Sequence, residues 1–184
     1  MDGPETPPLA PAADAGPLDI RADDPVRPHW LLFAGLAVAV FVVDQVVKAW
    51  IVANFEVSVP VDLLGDWLRI TITHNSGGLF GMFNGQAAVF ALFSLVVIGL
   101  IVWYEQRAGR SLLMTVALGL LLGGALGNLA DRIRYGYVVD FVDMGIGGWR
   151  FYTYNVADAS ITTSILLLIL IALLPALTSK PGDG

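Results

Sequence analysis

Residues 111–130 read SLLMTVALGLLLGGALGNLA, twenty positions without a charged side chain. At 1.5 Å per residue, about 20 residues of helix cross the ~30 Å of hydrocarbon in a bilayer. A helix of a soluble bundle would keep a polar stripe toward water, and none is present. Residues 86–104 and 159–178 have the same character. A fourth apolar run, residues 30–52, is interrupted only by Asp44 and Lys48 near its end. Backbone polar groups in lipid are satisfied within a helix, so the sequence predicts an α-helical integral membrane protein with four transmembrane helices. The composition agrees: 56% of the 184 residues are hydrophobic and 14% charged, against about 25% charged in soluble domains.

The remainder of the chain narrows the class. A net charge of −6 argues against nucleic acid as a partner. With no cysteine, thiolate metal sites are excluded; with only His29 and His74 a multi-histidine site is not expected, nor is any metal or cofactor. Residues 1–28 hold six of the sixteen acidic side chains, are rich in Pro and Ala, and are expected to form a disordered tail rather than a signal peptide. The expected organisation is tail 1–28, membrane domain 29–178 and a short C-terminal tail 179–184. Between spans 1 and 2, the alternation Leu68-Arg69-Ile70-Thr71-Ile72-Thr73 predicts a half-buried strand. Val57, Val59 and Val61 suggest its partner, an edge strand because of Pro60. A small β-sheet is thus expected beside the helix ends, with Trp149, Phe151, Tyr152 and Tyr154 at the membrane–water boundary. Gly119, Gly123 and Gly127 recur every four residues on span 3, a stripe that lets helices approach closely.

Ionisable residues near a bilayer mark function by default. Asp44 and Lys48 are i and i+4 and share a helix face, where an ion pair is the simplest reading. Asn128, Asp131 and Arg132 end span 3, with Asp131–Arg132 readable as a local salt bridge. Asp140 and Asp143 lie in the next segment, and Asp158 precedes span 4. Alternating topology brings all of these to one side of the membrane. Asp140 and Asp158 are flanked by apolar residues, where desolvation raises a carboxyl pKa, and two such acids brought close share one proton. That is the chemistry of an aspartic hydrolase, in which one carboxylate activates water and the other, protonated, donates to the carbonyl oxygen. Spacing alone does not choose between Asp140 and Asp143. Residues 143–152, with Gly145, Gly147 and Gly148, are expected to be an open loop able to cover the site. A proton-coupled transporter and a structural assembly factor are the rival classes; the absence of internal repeats weighs against the first.

Five motifs occur in order: Val43-Asp44-Gln45-Val46-Val47-Lys48, His74-Asn75-Ser76-Gly77-Gly78-Leu79-Phe80-Gly81, Gly123-Gly124-Ala125-Leu126-Gly127-Asn128-Leu129-Ala130-Asp131-Arg132, Val138-Val139-Asp140-Phe141 and Tyr154-Asn155-Val156-Ala157-Asp158. Together they resemble the bacterial lipoprotein signal peptidase family, signal peptidase II, over about residues 30–178. The resemblance implies an inner-membrane aspartic endopeptidase of four helices and a small extracytoplasmic sheet, with cytoplasmic termini. It implies cleavage of diacylglyceryl-modified prolipoproteins before the lipid-bearing cysteine, and inhibition by globomycin-like peptides. Asp140 and Asp158 match the family's catalytic aspartates, and Asp44, Lys48, Asn75, Asn128, Asp131, Arg132 and Asn155 its supporting residues. Prolipoprotein substrates and membrane lipids are the implied partners, and the chain is expected to act as a monomer. Two small departures, Gly78-Leu79 and Ala159-Ser160, touch neither carboxylate.

Overall fold

The computed structural model describes residues 29–77, 85–108 and 111–174. The acidic tail 1–28, residues 78–84 (among them the end of the Asn75 motif), Gly109 and Arg110 of the link between spans 2 and 3, and residues 175–184 lie outside the described residues. Among the described residues, four helices are long and apolar enough to cross a membrane. They are α1 (Trp30–Asn54), α2 (Ala87–Ala108), α3 (Leu112–Tyr135) and α4 (Val156–Leu173). A four-stranded antiparallel sheet accompanies them, in the order β1 (Val61–Leu64), β2 (Leu68–Asn75), β3 (Val138–Ile146) and β4 (Trp149–Arg150).

The spans fall where their apolar runs predict, but two helix ends move. Helix α3 continues past Ala130 to Tyr135, carrying Asp131, Arg132 and Arg134 on its last turns. It stops at Gly136, whose φ of +76° is the left-handed conformation that glycine adopts cheaply and whose N–H returns to Arg132 O. Helix α4 begins at Val156, before its uncharged run, because Asn155 and Asp158 form a reciprocal capping box. Asp158 is therefore on the helix, not before it.

Helix α3 is the axis of the bundle and packs against α1, α2 and α4. The glycine stripe divides between partners. A Cβ at Gly123 would stand 2.7 Å from Ala37 O of α1, and one at Gly127 would stand 2.6 Å from Asp44 Oδ2 and 3.2 Å from Ala157 Cβ of α4. Toward one end, Phe33, Ala37, Ile101, Leu118 and Leu122 form an apolar core. Toward the other, Ile51 packs against Ile70, Ile72, Val139 and Phe141 of the sheet. Helix α2 turns Leu92, Phe93, Val96 and Leu100 outward, as a lipid-facing surface requires.

The sheet differs from expectation in two ways. Strand β2 forms as predicted, but its edge partner β1 starts only at Val61; of the earlier valines, Val57 makes a single bridge to Ile72. On its other side β2 pairs with β3, Thr73 opposite Asp140 and Arg69 opposite Asp143. The segment expected to be an open loop is instead the end of β3 and all of β4, a hairpin turning at Gly147 (φ +59°). Backbone pairing captures it: Phe151 N donates to Met144 O at 2.7 Å and Gly145 N to Trp67 O at 3.0 Å.

Candidate active site

Two elements bring the acids together. Strand β3 carries Asp140 into the protein at 1% exposure. Tyr154 then pairs with Val142 across one antiparallel bridge, its N–H 3.1 Å from Val142 O and its carbonyl 2.8 Å from Val142 N. That bridge delivers Asn155, and with it the first turn of α4, to the side of Asp140.

Two amides then join the carboxylates. Asn155 Nδ2 donates to Asp140 Oδ1 at 2.7 Å and to Asn128 Oδ1 at 3.1 Å, while Asn128 Nδ2 donates to Asp158 Oδ1 at 2.7 Å. Asn75 Nδ2 donates to Asp140 Oδ2 at 3.0 Å. Asp158 Oδ2 accepts from Asn155 N at 3.2 Å. Burial, reinforced by the charge of Asp158, pushes the Asp140 carboxyl up from its ordinary 3.8 to about 7; the amide donors Asn75 and Asn155 act in the opposite direction. Asp158 is less buried and forms the open side.

A buried ion cluster lies behind the amides. Lys48 Nζ stands 2.8 Å from Asp44 Oδ2, 2.8 Å from Asp131 Oδ2 and 3.2 Å from Asn128 Oδ1. Its three protons thus have three acceptors. Asp44 Oδ1 in turn accepts from Ala157 N at 2.9 Å, tying α1 to the start of α4, and Asp131 Oδ2 accepts from Val139 N at 3.1 Å, next to Asp140. The Asp44–Lys48 pair is present as the sequence suggested. The local Asp131–Arg132 bridge is not: Asp131 turns to Lys48, and Arg132 donates to Asn128 O at 3.3 Å and Gly77 O at 3.0 Å with its guanidinium 5.5 Å over the Phe90 ring. Adjacent helix positions point about 100° apart, so the two could not share a face. Gln45 was overlooked. Its Nε2 donates to Asp131 Oδ1 at 3.0 Å and to Gly127 O at 3.3 Å, closing the cluster. Its place beside Asp44 was the available signal.

Asp143 stands apart. Arg150 Nη2 lies 2.8 Å from its Oδ1, and Thr71 Oγ1 donates to its Oδ2 at 3.1 Å. Arg150 of β4 and Thr71 of β2 hold Asp143, whereas Asn75 and Asn155 hold Asp140.

Two hollows meet at Asp158. A cavity of about 660 Å³ runs under the hairpin, walled by Trp67, Met144, Trp149, Phe151 and Tyr154 and by Thr162 of α4. A second, of about 220 Å³, lies among α2, α3 and α4, walled by Phe90, Phe93, Val97 and Ile161, with Asn128 and Arg132 at its polar end. Two carboxylates within one amide bridge, one of them holding its proton near neutrality, can polarise a carbonyl and activate water.

The profile of the family described as Signal peptidase (SPase) II matches residues 36–174. A lipoprotein signal peptidase of Coxiella burnetii is 42% identical over 159 residues, covering 83% of this chain and 93% of the relative. One from Staphylococcus haemolyticus is 39% identical over 146 residues, covering 79% and 92%. Among solved structures, a bacterial membrane enzyme determined by the in meso method at 2.3 Å superposes with a TM-score of 0.78 at 30% identity, covering 88% of this chain and 99% of that one. A second, at 1.9 Å, gives 0.72 at 32% identity, covering 82% and 98%.

Proposed function

Because this chain belongs to the signal peptidase II family of membrane aspartic peptidases, we propose that it removes signal peptides from diacylglyceryl-modified prolipoproteins with Asp140 and Asp158 as its catalytic dyad. The observation that carries the reading is the Asn128–Asn155 bridge between the two carboxylates, at the point where two apolar hollows meet. The shared proton rests on Asp140, the more deeply buried of the pair. Asp158 sits in the first turn of α4, where the positive end of the helix dipole favours a negative charge.

In the proposed reaction, water attacks the scissile carbonyl carbon and gives a proton to the Asp158 carboxylate, while Asp140 passes its proton to the carbonyl oxygen. The tetrahedral diol then collapses. The C–N bond breaks, Asp158 protonates the leaving amine, and a diol hydroxyl returns a proton to Asp140. Both carboxyl groups end as they began, and no other nucleophile is required. The hollows suit an extended peptide in one and acyl chains in the other, with Asn75 and Asn128 as uncharged partners for peptide backbone. The proposed site opens toward the extracytoplasmic leaflet of the bacterial inner membrane, with cytoplasmic termini. The hairpin bearing Trp149 and Phe151 covers the larger hollow.

The test is cleavage of a diacylglyceryl prolipoprotein peptide by purified protein in detergent. Asp140→Asn and Asp158→Asn should each abolish turnover in folded protein; near-wild-type turnover in either removes the dyad. A globomycin-like peptide should inhibit the wild type.

A further inference from the structure

A third hollow, of about 250 Å³, shares no lining residue with the two that meet at Asp158. It opens between the C-terminal ends of α1 and α3 and the paired strands β2 and β3. One wall is aliphatic, formed by Ala49, Val52 and Ala53 of α1 with Val57. The facing wall is a run of rings with a nitrogen base at each end. The Arg134 guanidinium lies 5.7 Å from the Tyr135 ring, Tyr135 is 5.8 Å from Tyr137, and Tyr137 stacks on His74 at 4.0 Å. The floor is Lys48 and Asp131.

The floor offers a ligand no unspent charge. Lys48 has three acceptors for its three protons. Asp131 accepts from Gln45 on one oxygen and from Lys48 and Val139 N on the other. What remains is at the rim: Arg134 and His74 are exposed and make no ion pair among the described residues. An occupant therefore needs an anion for Arg134, a polar group that reaches His74, and an apolar body for the wall of Ala49, Val52 and Val57. The hollow sits where two transmembrane helices end and tyrosines gather, the depth of lipid headgroups. Phosphate esters match the fork of an arginine. A zwitterionic headgroup would bring a second cation beside Arg134.

We propose that this hollow is a binding site for an anionic phospholipid, its phosphate held by Arg134, its headgroup reaching along the rings toward His74, and the start of its acyl chains laid along Val52, Ala53 and Val57. The site bears on the aspartates without touching them. Val139, which lines it, donates to Asp131 one residue before Asp140. An occupant braces the strand from behind.

The experiment uses the full chain in dodecyl maltoside and follows its unfolding temperature. Dihexanoyl phosphatidylglycerol, dihexanoyl phosphatidylcholine and sodium phosphate are titrated at matched ionic strength. The phosphatidylglycerol should raise the unfolding temperature saturably, with a midpoint at least tenfold below that of the phosphatidylcholine. In the Arg134→Gln, His74→Gln double variant that midpoint should rise at least tenfold, while cleavage in lipid-free detergent stays unchanged. If the double variant unfolds lower without lipid, Arg134→Gln and Arg134→Lys replace it, the first losing and the second keeping the selectivity. Equal midpoints for the two lipids, or unchanged selectivity in the variants, overturns the proposal. Saturation by inorganic phosphate at the same concentrations overturns the lipid assignment in favour of a free-anion site.

Discussion

Asn128 faces Asp158 with its nitrogen at 2.7 Å and Lys48 with its oxygen at 3.2 Å, so a single amide separates a buried cation from a proposed catalytic carboxylate. Lys48 orients that amide: an ammonium accepts no hydrogen bond, so the oxygen must face it. Lys48→Met leaves Asp44 and Asp131 buried without their cation, a loss of about 3–5 kcal/mol when one member of a buried pair is removed. We expect a clearly lower unfolding temperature in detergent and partial turnover. Neutralising all three positions, with Asp44→Asn and Asp131→Asn added, should recover part of the stability but not the turnover, because the amide stays unguided. A Lys48→Met protein that melts like wild type would show that the cluster contributes little.

The raised carboxyl of Asp140 has two consequences of definite sign. Folded protein keeps this proton up to about pH 7, whereas the unfolded chain releases it near the ordinary value of 3.8. The Asp140 contribution to stability is therefore most favourable at acid pH, falls as pH rises through that window, and is flat above it. In the proposed reaction Asp140 must be protonated, so kcat/KM should fall about tenfold per pH unit above about 7. Asn75 donates to the charged form, so Asn75→Ala should slow the enzyme and move this limb to higher pH. A limb that stays in place in that variant would remove Asp140 as the proton holder.

The helices were legible because charge-free runs of about 20 residues have one common solution in lipid. Asp44 and Lys48 were legible as a pair because i and i+4 share a helix face. Tertiary contacts set what the sequence left open. Strand β3 was hidden because Val138-Val139-Asp140-Phe141-Val142-Asp143 is apolar on both faces apart from its acids, with no clean alternation. The choice of Asp140 over Asp143 rested on resemblance alone; in the structure Arg150 takes Asp143 as its partner, while Asp140 lies among the amides of Asn75 and Asn155, a difference set by contacts distant in sequence. The start of α4 was misjudged because the uncharged run begins after Asp158, yet Asn155 and Asp158 carry the spacing of a capping box. Arg132 lay beside Asp131 in sequence, yet the cation that pairs with Asp131 is the distant Lys48.

Asp143 is the control for the dyad. Its bonds to Arg150 and Thr71 fasten the hairpin to the sheet, and among the described residues these, rather than Asp140 or Asp158, are its side-chain partners. Asp143→Asn should keep turnover within a few-fold of wild type, with KM rising more than kcat falls, since the hairpin walls the larger hollow. Protease nicking between Met144 and Tyr152 should become faster. A folded, inactive Asp143→Asn protein would mean that the acid has been assigned to the wrong strand position.

The glycines of α3 separate packing from chemistry. At Gly123 an added methyl meets Val40 Cβ at 2.6 Å and Ala37 O at 2.7 Å, about one helical turn before Gly127. At Gly127 it meets Asp44 Oδ2 at 2.6 Å. That carboxylate cannot swing away without releasing Lys48 and the N–H of Ala157, one residue before Asp158. Both alanine variants should cost about 1–3 kcal/mol through overpacking. Only Gly127→Ala should also lose turnover, by roughly 10–100-fold, because displacements near 1 Å at a reacting group have effects of that order. Gly148→Ala, with nothing within 4 Å of the new methyl, should change neither. Unfolding temperatures and kcat measured on the folded fraction of each variant decide the matter. Equal turnover losses in Gly123→Ala and Gly127→Ala would mean that helix spacing as a whole, rather than the Asp44 contact with the start of α4, sets the position of Asp158.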